Sequence, residues 1–153
     1  MPKIIYLISV GKLSNKNIEA IINEYLKRIS PFFKIIQYEI KELGLSGKIE
    51  IEKEKGKIKN KIMDDSFLIV CDQNGVELNS SELFKSLDQA FELKKSITII
   101  IGGAYGISDD IKKRANLLLS FSKMTFTHQL ARLVIIEQIY RYCMNKQGHP
   151  FVK

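Results

Sequence analysis

The chain has 153 residues, the usual size of one domain and too short for two independent cores. Hydrophobic residues make up 45% and charged residues 27%, as in globular proteins, and no apolar run reaches the roughly 18 residues of a membrane span. The net charge of +7 favours polyanionic partners, which leaves RNA, DNA and anionic membrane surfaces open. We therefore expect a single domain over residues 1–153.

The amino terminus and the cysteines bear on the cellular location of the protein, and the cysteines and histidines bear on whether it binds a metal. Met1-Pro2-Lys3 leads directly into apolar residues without the cleavage site of a signal peptide. The two cysteines, Cys71 and Cys143, form no CxxC pair, so neither a disulfide framework nor a cysteine zinc site is indicated. The two histidines, His128 and His149, are too few and too separated for a histidine metal site. We expect a cytoplasmic protein that binds no metal.

The first half of the chain alternates apolar runs with amphipathic ones. Lys3 to Val10 and Phe33 to Ile40 are predicted strands, because both are short runs rich in β-branched or aromatic residues. Between them, apolar residues recur at helical spacing from Ser14, a predicted N-cap, to a stop at Pro31. Residues 48–63 are rich in lysine and glutamate, and this tract is either a solvated helix laced by opposite charges or an RNA-facing stripe.

The second half continues the same alternation. Three further strands are predicted, at Ser66 to Cys71, Ser96 to Ile101 and Leu117 to Phe121. Asn79, with Glu82 three positions later, and Ser108, followed by two aspartates, are predicted helix N-caps. A long last helix is predicted from after Thr127 to about Lys146. Alternating strands and helices predict an α/β fold with a mostly parallel sheet flanked by helices.

The last predicted helix carries apolar residues around much of its circumference. Such a helix must be covered from more than one side, and a second subunit is one way to cover it. Arg132 and Arg141 interrupt this apolar surface and need acceptors if they are even partly buried. Their partner is either a carboxylate of the protein or an RNA phosphate. His128 lies one turn before Arg132 on the same face, which makes the two a candidate pair.

Three strand ends are the candidate site, because ligands of open α/β sheets bind beyond the carboxyl ends of the strands. The segments there are Cys71-Asp72-Gln73-Asn74-Gly75, Gly102-Gly103-Ala104-Tyr105-Gly106 and Ser120-Phe121-Ser122-Lys123-Met124-Thr125-Phe126. Their glycines permit positive φ and a close approach of main chain to a flat adenine or ribose. The spacing Gly-Gly-x-x-Gly differs from the dinucleotide fingerprint, and no Gly-Lys-Ser or Gly-Lys-Thr of a P-loop is present.

Four ordered motifs resemble one protein family. They are Ile99 to Ser108, Leu119 to Thr125, His128 to Leu133 and Glu137 to Arg141. Together they closely resemble the SPOUT (α/β-knot) methyltransferases that modify N3 of a pseudouridine in 23S rRNA. The resemblance extends to Asp72-x-x-Gly75, to the opening strand with Gly11, to the total length and to His149-Pro150. It covers nearly the whole chain, and the ordered combination makes it specific.

The resemblance implies a C-terminal trefoil knot, which no periodicity reveals, and a homodimer. It also implies S-adenosyl-L-methionine as the methyl donor. Carried over position by position, the donor's contacts fall on Cys71, Gly102, Phe121, Ser122, Lys123, Met124, Thr125 and Phe126, with Gly103 and Gly106 shaping the loop. The implied substrate is 23S rRNA in the assembled ribosome, and neither DNA nor a membrane is an expected partner.

His128, Arg132 and His149 are the candidate catalytic residues. We expect Arg132 to hold phosphate or stabilise a developing imidate, His128 to fix the loop or the base, and His149 to contact substrate. The chain departs from the family at Cys71, where leucine is usual, and at Phe151 and Val152, which replace a tyrosine and a histidine. The lost hydroxyl and imidazole keep two alternatives open: the same chemistry on a tRNA, and a catalytically silent ribosome- or RNA-binding module.

Overall fold

The computed structural model describes residues 3–148. Its first elements are β1 (Lys3–Val10), α1 (Lys16–Ile29), β2 (Phe33–Ile40), α2 (Gly47–Lys59) and β3 (Ser66–Glu77). They are followed by α3 (Ser80–Leu93), β4 (Ser96–Ile101), α4 (Asp109–Arg114), β5 (Leu117–Ser120) and α5 (His128–Lys146). Strands and helices alternate along this range, as the hydrophobic pattern predicts.

The five strands form one sheet in the order β2-β1-β4-β3-β5, and every neighbouring pair is parallel. All six residues of β4 are buried, which is typical of a central strand covered on both faces. The predicted α/β fold with a mostly parallel sheet flanked by helices is therefore confirmed. The trefoil knot implied by the family resemblance stays a prediction.

Helices cover both faces of the sheet and bury two separate apolar clusters. The larger cluster lies under α1, α3 and α5 and includes Ile22, Leu87 and Tyr142. The smaller cluster lies under α2 and α4 and includes Ile58 and Ile111. We call these the aromatic face and the basic face of the sheet. Because all strands are parallel, their carboxyl ends meet at one edge between the two faces.

Two of the three predicted helix N-caps, Asn79 and Ser108, are confirmed, and the last helix begins directly after Thr127, as predicted. Asn79 and Glu82 form a reciprocal capping box, and the side chains of Ser108 and Thr127 accept backbone N–H groups of α4 and α5. The prediction of Ser14 as the cap of α1 was wrong. The cap is Asn15, whose short amide side chain accepts the N–H groups of the second and third residues of the helix, at 3.0 and 3.2 Å.

The predicted end of β3 at Cys71 was also wrong, because the strand continues to Glu77. Cys71 and Val76 both pair with Leu119 of β5, so the residues between them bulge out of the ladder. The Asp72 carboxylate accepts the N–H of Asn74 at 3.1 Å and so closes the turn that the sequence indicates. The sequence shows that turn but not the return of the chain to the sheet.

The lysine- and glutamate-rich tract forms α2, but it is not a fully solvated helix. Glu52 and Lys55 form the expected surface pair at 2.9 Å. Glu50 and Glu54, in contrast, are only 3% and 4% exposed. Glu50 is buried because its carboxylate accepts backbone N–H groups of the preceding loop, from Leu43 and Leu45. The prediction of a solvated, charge-laced helix therefore holds for one side of α2 and was wrong for the other.

Candidate active site

The strand register brings the three predicted segments together at the carboxyl edge. Cys71 of β3 pairs with Ile101 of β4 on one side and with Leu119 of β5 on the other. The next residue of β4 is Gly102, and β5 ends at Ser120. The edge therefore places Cys71 of β3 between the glycine loop after β4, residues 102–106, and the loop formed by residues 121–126.

The glycine loop folds back on itself directly after β4. Gly103 and Gly106 form an isolated bridge, and the N–H of Gly106 donates to the carbonyl of Gly103 at 3.1 Å. Gly106 has φ +81°, in the region that favours glycine. A side chain at Gly102 would place its Cβ 2.6 Å from Cγ1 of Ile107. The backbone at Gly102 is therefore packed too closely against Ile107 for any other residue to fit without a shift.

The loop of residues 121–126 is held by its own polar side chains. The Ser120 hydroxyl donates to the carbonyl of Ser122 at 2.8 Å, and Oγ of Ser122 accepts the N–H of Met124 at 2.9 Å. The rings of Phe121 and Phe126 meet edge to face, with centroids 6.3 Å apart. Met124 and Phe126 are 77% and 44% exposed. This loop therefore has a fixed backbone and presents apolar surface, as pockets for flat heterocycles do.

Cys71 contributes a neutral thiol to the edge. Burial, together with the nearby charge of Asp72, raises the pKa of Cys71 to about 12. The thiol is therefore protonated at neutral pH and is not an activated nucleophile. Asp72 itself forms a salt bridge with Lys112 of α4 at 3.1 Å. The chemistry suited to Cys71 is therefore apolar contact.

His128 packs against the end of β1. Gly11, which follows β1, has φ +102°, and a Cβ there would lie 2.6 Å from Cε1 of His128. Glycine is thus needed at this position both for its backbone conformation and for the space that the imidazole fills. The Nδ1 atom of His128 is buried and has no hydrogen-bond partner among residues 3–148. The first residue of α5 and the first residue after β1 therefore form one packed unit.

Arg132 is buried, with 4% of its surface exposed, and binds two side chains of β2. Its Nη1 donates to Oε2 of Glu39 at 2.8 Å, and its Nη2 donates to Oε1 of Gln37 at 3.1 Å. Burial opposes the charge of Glu39, but the hydrogen bond and charge of Arg132 outweigh it and lower the pKa of Glu39. Of the two partners foreseen for Arg132, the structure shows the carboxylate.

Arg141 also has a carboxylate partner, since its Nε donates to Glu137 at 2.9 Å. Sequence reasoning missed the ion pair between Arg132 and Glu39. The available signal was the alternation of Gln37 and Glu39 at the end of a predicted strand, which places both on one face of the sheet. Sequence reasoning also missed Gln129, whose amide accepts the N–H of Asn15 at 2.8 Å and so ties the start of α5 to the start of α1.

His149 lies outside the described residues, as do Phe151 and Val152. Of the three catalytic candidates, the structure therefore locates His128 and Arg132, one turn apart at the start of α5. Within residues 3–148, no group of three or more histidine, cysteine, aspartate and glutamate side chains could hold a metal ion. None of the helices in that range is long and apolar enough to cross a membrane.

Comparison with known proteins finds similarity over nearly the whole chain. A family model described as "Predicted SPOUT methyltransferase" matches residues 4–151. A Caldicellulosiruptor bescii protein named ribosomal RNA large subunit methyltransferase H is 45% identical over 141 residues, covering 90% of this chain and 92% of that protein. Proteins of the same name from Dictyoglomus thermophilum and Enterococcus faecalis are 40% and 38% identical, covering 96% and 97% of this chain and 97% and 99% of theirs. These matches include all three segments of the carboxyl edge.

Proposed function

The chain belongs to the SPOUT methyltransferase family, and from this premise we propose that it methylates N3 of a pseudouridine in 23S rRNA of the large ribosomal subunit. Members of this family are enzymes that transfer methyl groups. The observation that carries the proposal is the similarity, over at least 90% of the chain, to proteins named as large-subunit rRNA methyltransferases. The net charge of +7 agrees with an RNA substrate.

SPOUT methyltransferases in general depend on S-adenosylmethionine, and the carboxyl edge fits the adenosine part of that molecule. The glycine loop offers bare main chain at Gly102, Cys71 offers a neutral thiol, and the loop of residues 121–126 offers two aromatic rings. We place the donor's contacts at Cys71, Gly102 and residues 121–126, with Gly103 and Gly106 shaping the loop. When bound, the donor supplies an electrophilic methyl group.

The protein's part in the reaction is to align the base and to assist the loss of its N3 proton. His128 is the proposed residue for fixing the loop or the base, because its half-buried ring packs against Gly11 at the end of β1. Arg132 holds Glu39 and Gln37 at the end of β2 and is proposed first as a positioning residue. A contact of Arg132 with phosphate or with a developing imidate stays a prediction, as does substrate contact by His149.

We further propose that the enzyme is a cytoplasmic homodimer. The outer side of α5 carries Leu130, which is exposed, and Leu133 and Val134, which are half-buried. The nearby side chains of Met124 and Phe126 are also exposed. Exposed apolar side chains grouped in this way are typical of a protein–protein interface. A second copy of the chain would cover it beside the edge that we assign to the methyl donor.

The test is methyl transfer from labelled S-adenosylmethionine to ribosomes, ribosomal subunits and bulk tRNA, each taken from cells that lack the protein. Label at N3 of a pseudouridine in 23S rRNA would support the proposal. Label in tRNA alone would overturn the substrate. No label in any RNA, together with measurable donor binding, would favour the catalytically silent ribosome-binding module.

Variants of the three candidate residues assign their roles in the same assay. Alanine at His128, Arg132 or His149 is expected to leave donor binding unchanged and to lower turnover by roughly a hundredfold if the residue acts in proton removal. Gly102→Val is the matched control, because its side chain would enter the glycine loop and weaken donor binding. Unchanged turnover in all three alanine variants would contradict the assignment.

A further inference from the structure

The surface charge of α2 differs from the charge of its sequence. The helix contains five lysines and three glutamates, which gives a modest positive sum. Glu50 and Glu54 are buried, so Glu52 is the one carboxylate of α2 at the surface. The exposed side of the helix is therefore almost entirely cationic, although the sequence reads as a mixture of both signs.

The two buried carboxyl groups of α2 make their interactions inside the protein and do not contribute to its surface charge. Glu50 accepts the N–H groups of Leu43 and Leu45 at 3.1 and 3.0 Å, and it also shares a hydrogen bond with Glu54. Burial, followed by the hydrogen bond and charge of Glu50 and the charge of Glu42, raises the pKa of Glu54 to about 8, while Lys57 opposes this rise. Glu54 is thus protonated at neutral pH, and the pair presents a single negative charge to the loop.

Helix α4 extends this cationic surface. Ile58 of α2 and Ile111 of α4 share one apolar cluster, and Lys55 of α2 binds Asp110 of α4 at 3.0 Å. The hydrogen bond and charge of Lys55, then the charge of Lys59 and more weakly that of Lys113, lower the pKa of Asp110. Several cations from both helices therefore surround one carboxylate.

Most cations of this surface form no salt bridge within residues 3–148. Lys53, Lys57, Lys59, Lys113 and Arg114 form no salt bridge within the described part of the chain. Glu52 and Asp110 both form their salt bridges with Lys55, and neither forms one with any of these five. On the opposite side of the sheet, α3 carries three acidic residues and one lysine. On that side, Arg28 of α1 and Arg132, Arg141 and Lys146 of α5 each form a salt bridge with a carboxylate, so more of the cations without a salt bridge lie on the α2 and α4 side.

We propose that the outer surface of α2 and α4 is the face on which the enzyme binds the phosphate backbone of its RNA substrate. This inference rests on the proposed function, which makes the partner RNA rather than an acidic protein. Unpaired lysines bind phosphates by releasing condensed counterions, which gives affinity without base recognition. Helix α4 begins three residues after Gly106, so RNA bound here lies beside the glycine loop of the carboxyl edge.

The test compares two double variants that remove the same charge from opposite sides of the sheet. Lys59→Gln with Lys113→Gln alters the proposed face, and Lys27→Gln with Lys85→Gln alters α1 and α3. Affinity for large ribosomal subunits is measured without methyl donor over a range of salt concentrations, and methyl transfer is measured separately. The first variant should lower affinity at least about tenfold and reduce the slope of log affinity against log salt by about 2. The control should match the parent protein.

The turnover of each variant at saturating ribosomes, its donor binding and its melting temperature should remain at the parent level, since none of the changed residues belongs to the three segments of the carboxyl edge. Parent affinity and salt slope in the first variant, with methyl transfer to 23S rRNA intact, would overturn the docking face and leave the proposed function standing. Loss of affinity in the first variant alone, in a protein that methylates no rRNA, would keep the docking face and overturn the function.

Discussion

The two faces of the sheet are covered in different ways. On the aromatic face, Tyr142 is fully buried, and its ring packs against Phe33 and Phe84. On the basic face, two short cationic helices bury a smaller cluster and enclose Glu50 and Glu54. The same alternation of strands and helices thus produces one face built from apolar side chains and another that contains buried carboxylates.

This difference separates the face that mainly stabilises the fold from the face that we propose binds RNA. Stabilisation is roughly proportional to the apolar area removed from water, so the larger cluster under α1, α3 and α5 carries more of the folding free energy. The basic face can then hold charged groups that add little to stability and that give its outer surface one sign. The predictions that follow test this division, from the largest expected effect to the smallest.

The largest expected effect comes from truncating the core on each face. Tyr142→Ala removes a fully buried ring together with a hydroxyl that donates to Asp88 at 2.6 Å. We expect it to lower the free energy of unfolding by about 4 kcal/mol, against about 2 kcal/mol for Ile58→Ala on the basic face. Chemical denaturation of both variants measures the difference.

Tyr142→Phe is the control for that comparison, because it removes the hydroxyl and keeps the ring. It should cost about 1 kcal/mol, the usual net contribution of one hydrogen bond. Asp88 retains its salt bridge with Lys146 in both variants of Tyr142. An equal or larger loss in Ile58→Ala than in Tyr142→Ala would contradict the assignment of folding free energy to the aromatic face.

Hydrophobic periodicity was enough to predict most of the fold. The predicted bounds of β1, β2 and β4 coincide with those of the structure, because each is a short run rich in β-branched or aromatic residues. The strand order and the continuation of β3 beyond Cys71 could not be read in this way. Both depend on which strand lies beside which, and pairing across the sheet leaves no local periodic signal.

The candidate site was predictable in its position but not in its interactions. The rule that ligands bind at strand carboxyl ends selects Cys71, Gly102 and Phe121, and the register brings these strand ends together. The ion pair of Arg132 with Glu39 joins residues 93 positions apart, and the burial of Glu50 and Glu54 depends on a loop folding back over α2. Contacts of this kind are fixed by tertiary packing, which composition and spacing do not describe.

An effect of intermediate size on stability is expected when the buried carboxyl group of Glu54, on the basic face, loses its proton. The pKa of Glu54, about 8, lies above its ordinary value of 4.5, so between these values the folded state holds a proton that the unfolded chain has released. Stability should therefore fall as pH rises through this window and level off above pH 8. We expect a loss of about 2 kcal/mol between pH 6 and pH 8, measured by chemical denaturation.

Glu54→Gln should abolish this contribution, since the amide can still donate to Glu50 but cannot ionise. The variant should be more stable than the parent above pH 8 and nearly equal to it at pH 5. Glu52→Gln is the matched control, because Glu52 lies on the exposed side of the same helix. If the Glu54→Gln and parent proteins lose the same stability between pH 6 and pH 8, Glu54 is not the group responsible.

The smallest expected effect concerns the helix caps, and it again separates the two faces. Asn79 accepts the N–H of Glu82 at 2.8 Å, and the Glu82 carboxylate accepts the N–H of Asn79 at 2.9 Å, so two N–H groups depend on this box. Ser46 occupies the same position at the start of α2, but its side chain makes no capping hydrogen bond. Asn79→Ala should therefore lower the free energy of unfolding by about 1 kcal/mol.

Ser46→Ala should change it by less than about 0.3 kcal/mol, because no capping hydrogen bond is lost. The physical reason lies in the basic face itself: the Glu50 carboxylate binds the amides of Leu43 and Leu45 and thereby fixes the loop that leads into α2. Thermal or chemical unfolding of the two alanine variants distinguishes the faces directly. A loss near 1 kcal/mol in Ser46→Ala would mean that its hydroxyl caps α2 in solution, and that Glu50 alone does not hold the start of this helix.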